Sequence, residues 1–150
     1  MLADERYMAL ALEQAKEAAL SGEVPVGAVL VKNDTLISAD HNRREELNDA
    51  SAHAEILVIR RAGAILGGWR LSGCTIYVTL EPCPMCAGAM VLARLTRLVY
   101  SAPDPKSGAA GSLYDIACDP RLNHRLEISR GILETEFGSL LQRFFSERRC

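Results

Sequence analysis

Two short segments carry side chains able to do chemistry together: His53-Ala54-Glu55 and Pro82-Cys83-Pro84-Met85-Cys86. A Cys-x-x-Cys pair by itself is ambiguous. It can be a redox dithiol, half of a metal site, or two helix cysteines with no special role. No second Cys-x-x-Cys exists, which removes the four-cysteine zinc-ribbon arrangement. Of the 3 histidines, His41, His53 and His124, only His53 begins a helical pattern. Cys83 begins another. Both helices follow strand or loop segments in the same direction, so their N-termini can converge at one edge of a sheet. A helix N-terminus carries partial positive charge and unpaired N–H groups, and both favour the thiolate that binds metal. Pro82 and Pro84 stiffen the chain around Cys83, so less ordering entropy is lost on binding.

One imidazole and two thiolates leave a fourth tetrahedral position for water, the catalytic rather than the structural pattern. Zinc in such a site brings the pKa of its water to about 7. A nearby carboxylate that is not a ligand can then move protons, and Glu55 stands where that is possible. The plainer readings are a buried structural histidine at His53 and a first-turn glutamate favoured by the helix dipole at Glu55.

The elements that must position these residues follow from periodicity. Asp4–Ser21 has helical spacing in Met8, Leu12, Ala15 and Ala19, and Gly22 ends it. Val26–Val31 and Thr35–Ala39 flank Lys32-Asn33-Asp34 and predict a hairpin. Asn42–Asp49 is polar and predicts a loop. Ser51–Ala64 is a helix broken by Gly67-Gly68. Thr75–Leu80 is a strand, and Pro84–Leu95 a helix with proline in its favoured first position. Arg97–Ser101 is a strand. A loop over Pro103–Ser112, a short helical piece over Leu113–Ala117 and a second loop over Asp119–Arg125 follow. Leu126–Arg130 is a last strand, and Glu134–Arg149 an amphipathic closing helix. The order predicts an α/β fold, a three-layer α/β/α sandwich. With no internal repeat and no dividing linker, residues 1–150 read as one domain.

Composition narrows the class. The 150 residues are 49% hydrophobic and 24% charged, the balance of an ordinary soluble domain. No apolar run approaches the ~20 residues that span a bilayer. The first residues, MLADERYMAL, are acidic where an export signal is basic, so a cytoplasmic location is expected. An odd count of 5 cysteines argues against a disulfide framework. Cys74 and Cys118 read as small apolar fillers, Cys150 as a terminal residue, and His41 and Glu81 as a loop and a strand-end residue. A formal net charge of -2 gives no support to nucleic-acid binding. The exception is local: Lys106, Arg121, His124, Arg125, Arg130, Arg143, Arg148 and Arg149 could form a cationic surface beside Phe144 and Phe145.

His-x-Glu followed by Pro-Cys-x-x-Cys is the zinc deaminase signature. With it, "VPVGAVLV", "AHAEI", "TLEPCPMCAGAM", "GAAGSL" and "NHR" resemble the bacterial tRNA adenosine deaminases along nearly the whole chain. These belong to the zinc-dependent cytidine and deoxycytidylate deaminase superfamily. The resemblance implies a cytidine deaminase-like fold with a five-stranded mixed sheet. It implies one Zn2+ per subunit on His53, Cys83 and Cys86, with Glu55 as the proton-moving catalytic residue. The implied reaction is hydrolytic deamination of adenosine to inosine at the wobble position of a tRNA anticodon loop. Asn42 is then expected against the target base and Asp104 at a ribose 2′-hydroxyl. Lys106 and Ser107 would meet phosphate, with Asn123 and Arg149 as further contacts and Phe145, rather than Phe144, near RNA. A homodimer with active sites near the interface is implied, with neither membrane nor DNA as a partner. The alternatives are a deaminase of free guanine, cytosine or deoxycytidylate, which would carry the same metal motif, and a non-catalytic zinc-stabilised RNA-binding module, which would not need Glu55.

Overall fold

A computed structural model describes residues 2–148. Helix α1 (Ala3–Leu20) buries Met8, Ala11, Leu12, Ala15 and Ala18 on one stripe, and Gly22 leaves it with a φ of 81°. Strands β1 (Gly27–Lys32) and β2 (Thr35–His41) pair through Asn33 and Asp34, both at positive φ. Asn and Asp tolerate that conformation, and a turn of this hand matches strand twist. Gly27 has a different reason to be glycine. A Cβ there would collide with the Ala11 carbonyl, because α1 crosses β1 at this point.

The 42–49 segment, expected to be a loop, contains a single helical turn, α2 (Arg44–Leu47). The buried Glu23 carboxylate accepts from the N–H groups of Glu45 at 3.3 Å and Glu46 at 2.9 Å, satisfying donors that an isolated turn would leave open. Helix α3 (Ala54–Leu66) ends at Gly67, in the left-handed region. Strand β3 (Cys74–Leu80) leads into α4 (Pro84–Leu92). That helix stops three residues short of the expected Leu95. Arg94 turns left-handed at φ 64°, and Leu95 N–H donates to the Met90 carbonyl, closing the end.

Strands β4 (Arg97–Ala102) and β5 (Glu127–Arg130) complete the sheet, and α5 (Glu134–Glu147) closes the described chain. The helical piece expected over 113–117 is not formed. Ala110 and Asp115 instead make an antiparallel bridge, and the N–H groups of Leu113 and Tyr114 both donate to the Gly108 carbonyl. His41, expected in a loop, is the buried last residue of β2.

The sheet order is β2-β1-β3-β4-β5, with β1 antiparallel to both neighbours and β3, β4 and β5 parallel. Alternation along the strands divides the core. Ala28, Leu30, Ile76, Val78, Leu98 and Tyr100 pack with Ala54, Val58 and Ala62 of α3 and Met90 of α4. Val29, Val31, Tyr77 and Val99 pack with Tyr7, Met8 and Ala11 of α1. Phe137 and Leu140 of α5 join α1 through Leu12 and Ala15. This is the expected three-layer sandwich with a five-stranded mixed sheet. Among the described residues no helix is long and apolar enough to cross a membrane.

Candidate active site

The C-terminal end of β3, the end of β2 and the N-termini of α3 and α4 meet at one edge of the sheet, where open α/β sheets bind ligands. His53 is the N-cap of α3 and Cys83 the N-cap of α4; both have extended backbones, so each side chain leaves its helix at the first turn. Pro84 in the first helical position fixes the turn between the two cysteines. His53 Nδ1 lies 3.7 Å from Cys83 Sγ and 3.5 Å from Cys86 Sγ. The three donor atoms all fall within 4.8 Å of one another.

Electrostatics favour a cation among them. The Cys83 thiol is drawn down to about 4, chiefly by its hydrogen bond with Cys86 and also by His53. The Cys86 thiol is pushed up by sharing that bond and by burial. The hydrogen bond with Cys83 raises His53. Two thiols this close do not both ionise without a positive partner, and a divalent ion supplies one. One nitrogen and two sulfur donors form a borderline-soft set. The residues present therefore fit a metal.

Glu55 lies one helical step further in. It is buried, and its Oε1 has no hydrogen-bond partner. Burial pushes its carboxyl up to about 7, against the largest opposing effect, a hydrogen bond from its own backbone N–H. A buried acceptor left open is expensive unless a further group arrives to meet it. A carboxylate near 7 can accept and return a proton at neutral pH.

His53, Glu55 and Cys83 line a cleft of about 150 Å³ with Val24, Val26 and Leu80 as apolar walls. Pockets for drug-sized ligands run to ~300 Å³ and above. A cleft of this size takes one ring system and leaves the rest of a larger substrate outside.

Most of the other expected site residues gather here. Asn42 is buried in the cleft wall. Its Oδ1 accepts from Ala54 N–H at 2.9 Å, and its Nδ2 donates to the Val24 carbonyl at a longer 3.3 Å. Asp104, Ser107 and Arg44 also line the cleft. Lys106, exposed, borders an adjoining groove with Pro103, Pro105, Leu141 and Phe145. Phe145 is 46% exposed, whereas Phe144 is 7% exposed and packs edge-on against it at 5.3 Å.

Asn123 is not brought to the cleft. Its neighbour His124 lies 2.6 Å from the Leu95 carbonyl, at the end of β4 remote from the site. Arg149 and Cys150 lie outside the described residues. Within the expected cationic surface, Arg121 is paired with Asp119 at 2.7 Å, and Arg148 stacks over Phe144 at 4.4 Å with its charge retained.

Arg44 and Glu81 at the site, and Glu23, which holds the turn carrying Arg44, had no sequence signal of their own. Arg44 falls in the polar 42–49 segment, read as a loop. Glu23 and Glu81 are buried carboxylates whose partners lie far along the chain. Their only clue was charge placed at the edge of an apolar run, which needs a partner once buried.

The chain matches a family model described as MafB19-like deaminase over residues 2–149. It is 52% identical to a tRNA-specific adenosine deaminase of Bacillus subtilis (strain 168), over 99% of this chain and 92% of that protein. It is 48% identical to the tRNA-specific adenosine deaminase of Agrobacterium fabrum (strain C58 / ATCC 33970), over 95% of this chain and 94% of the relative. A solved structure from work on A-to-I editing by tRNA:A34 deaminases superposes with a TM-score of 0.88 at 47% identity, covering 91% of this chain and 99% of that one. The chain belongs to the family of tRNA-specific adenosine deaminases. A guanine deaminase from Nitrosomonas europaea shares the fold at TM-score 0.79 and 26% identity, over 95% of this chain and 84% of that one.

Proposed function

We propose that this protein deaminates adenosine to inosine at the wobble position of a tRNA anticodon loop. The observation that carries the reading is a His53, Cys83 and Cys86 donor set beside a buried Glu55 carboxylate with its Oε1 unpartnered, in a cleft sized for one ring system. The activity for which its relatives are named supports the substrate.

The nitrogen and two-sulfur donors are read as a zinc site. When bound, zinc supplies a Lewis acid that makes water nucleophilic at neutral pH. Glu55 takes a proton from the attacking water as oxygen adds to C6 of adenine. It passes that proton to the ring nitrogen, and a second proton transfer to the exocyclic amine lets ammonia leave. The net change is water in, ammonia out. One carboxylate serves for both transfers because the proton is moved, not discarded.

Asn42 has its oxygen committed to Ala54 and one amide N–H directed at the Val24 carbonyl, so its second amide N–H is the one available to a ring nitrogen of the base. Val24, Val26 and Leu80 flank the ring. A hairpin loop can present such a base without the cost of opening a duplex. Beside it, Asp104 can accept from a 2′-hydroxyl, which distinguishes RNA from DNA, Lys106 can meet phosphate, and Ser107 can do so by turning its hydroxyl from Asp104. Phe145 offers a face for an unstacked base. Asn123 is a further candidate contact to RNA outside the cleft, and tRNA as substrate supports a cytoplasmic location.

The test is direct. The protein is incubated with an anticodon hairpin carrying a wobble adenosine and, separately, with free adenine, adenosine, guanine, cytosine and deoxycytidylate. Inosine in the hairpin is expected. Activity confined to the small compounds would overturn the reading.

The active protein is read as a homodimer. Met85, Ala89 and Leu92 form a stripe along α4, with Met85 next to Cys86. An apolar groove of about 520 Å³ between α3 and α4 adds Ile59 and the exposed Trp69. Light scattering is expected to give twice the chain mass. Leu92→Glu, at a side chain 70% exposed, should halve it without unfolding the chain. A parent protein that scatters as a monomer would contradict this.

A further inference from the structure

Glu81 is a buried carboxylate at the cleft that the proton transfers above do not use. Its Oε1 accepts from Asp104 N–H at 2.9 Å and from the Ser112 hydroxyl. Its Oε2 accepts from Ala110 N–H at 2.9 Å and Ser112 N–H at 3.0 Å. The next residue, Pro82, accepts Ala109 N–H on its carbonyl at 2.8 Å. Residues 81 and 82 thus tie down both ends of the 104–112 loop.

The loop closes directly on this carboxylate. A Cβ at Gly108 would run into the Glu81 carboxylate and the Asp104 carbonyl, so no larger residue fits unless the loop moves. Within the loop, Asp104 accepts from Lys106 N–H at 3.0 Å and from the Ser107 hydroxyl at 2.9 Å. The turn that carries Asp104, Lys106 and Ser107 is therefore built outward from Glu81. An ionised carboxylate is acceptor-only and can receive four donors at once, whereas an amide of the same shape cannot.

We propose that Glu81 is a positioning residue for RNA binding: its carboxylate holds the 104–112 backbone so that Asp104, Lys106 and Ser107 stand along one lip of the cleft before RNA arrives. The inference rests on the RNA-hairpin reading above. A loop ordered in advance costs less to bind than one ordered on contact. Loss of the anchor should raise KM and spare kcat, because His53, Glu55, Cys83 and Cys86 hang on α3 and α4 rather than on this loop.

Glu81→Gln keeps the shape but turns an amide NH2 against at least one backbone N–H, whichever way it is rotated. On an anticodon hairpin it is expected to raise KM by about tenfold or more, with kcat within about threefold, the scale of a lost hydrogen bond to a charged group. Metal content per chain should match the parent. Ser112→Ala removes one hydroxyl donor from the same carboxylate and should raise KM by about threefold. An unchanged KM in both variants, or a fall in kcat with KM unchanged, would overturn the proposal. If Glu81→Gln fails to fold or loses metal, Ser112→Ala decides: a raised KM with full metal supports the proposal, and an unchanged KM rejects it. Failure of the RNA reading would show in the parent, as no inosine from the hairpin, and would take the proposal with it. Failure of the Glu81 role alone would show only in the variants, beside an active parent.

Discussion

Glu55→Ala is expected to lower kcat on the hairpin by about a thousandfold to ten-thousandfold, the upper range for a general acid–base residue. Glu55 is asked for two transfers, to ring nitrogen and to amine, so the loss should lie at that upper end. The variant should still fold. Its wild-type carboxylate is buried with Oε1 unpartnered, so truncation removes a desolvated charge along with the packing it supplied. Metal content should stay at that of the parent, because Glu55 lies outside the His53, Cys83 and Cys86 donor set. Hairpin affinity, measured by filter binding or fluorescence anisotropy, should stay within about threefold, since a factor of ten needs 1.4 kcal/mol. Glu55→Gln, of equal size, should behave alike in kcat. Turnover near the parent rate in either variant would remove Glu55 from the chemistry and leave the non-catalytic RNA-binding module as the better reading.

Loss of the metal should be as damaging, and it has readouts besides activity. The parent is expected to carry one zinc per chain by mass spectrometry. Cys86→Ala should carry almost none, because two remaining donors do not hold a tetrahedral ion against water. Chelation of the parent should abolish inosine formation, and added zinc should restore it. Folding stability should move with the metal. A ligand present at about a thousand times its Kd adds about 4 kcal/mol to the native state, which for a chain of this length is about 10 °C in Tm. The metal-free parent should melt lower by that order, and Cys86→Ala should melt low whether or not zinc is added. A parent that binds no metal, with a Tm indifferent to zinc, would contradict the donor assignment. The thiols would then be a redox pair, for which the drawn-down Cys83 is also suited.

Much of the scaffold was legible because its signals are local. Helical stripes, period-two strands, the Asn33-Asp34 turn and Pro84 at a helix start each depend on residues a few positions apart. The donor set was legible for a related reason. Each half of it sits on a helix N-terminus, so two short motifs stand for two folded positions. Asn42 was different. Its polar surroundings read as loop, and only the family resemblance lifted it toward the base that its place in the cleft wall now suits.

Two of the misses share one physical cause. The turn at Arg44–Leu47 exists because Glu23 reaches across to its N–H groups, and the 113–117 piece is not helical because its N–H groups turn back to the Gly108 and Ala109 carbonyls while Glu81 holds the N–H groups of Ala110 and Ser112 just before it. Both depend on partners 20 or more residues away, or on a glycine whose role appears only when the loop closes. Side-chain carboxylates bound to remote backbone override local preference, and periodicity carries no record of them. The order of Phe144 and Phe145 was open for a simpler reason. Adjacent residues on a helix point about 100° apart, so either could face the core, and packing against the rest of the chain turned Phe144 inward.

The central claim is hydrolytic deamination of an RNA-borne adenosine by Glu55 and a metal-activated water. It is tested most directly by running the reaction on an anticodon hairpin in water enriched in oxygen-18 and weighing the released nucleosides. The expected product is inosine from the wobble position carrying one heavy oxygen, absent with Glu55→Ala. Recovery of the hairpin with its wobble adenosine intact, under conditions where the protein holds its zinc, would contradict it.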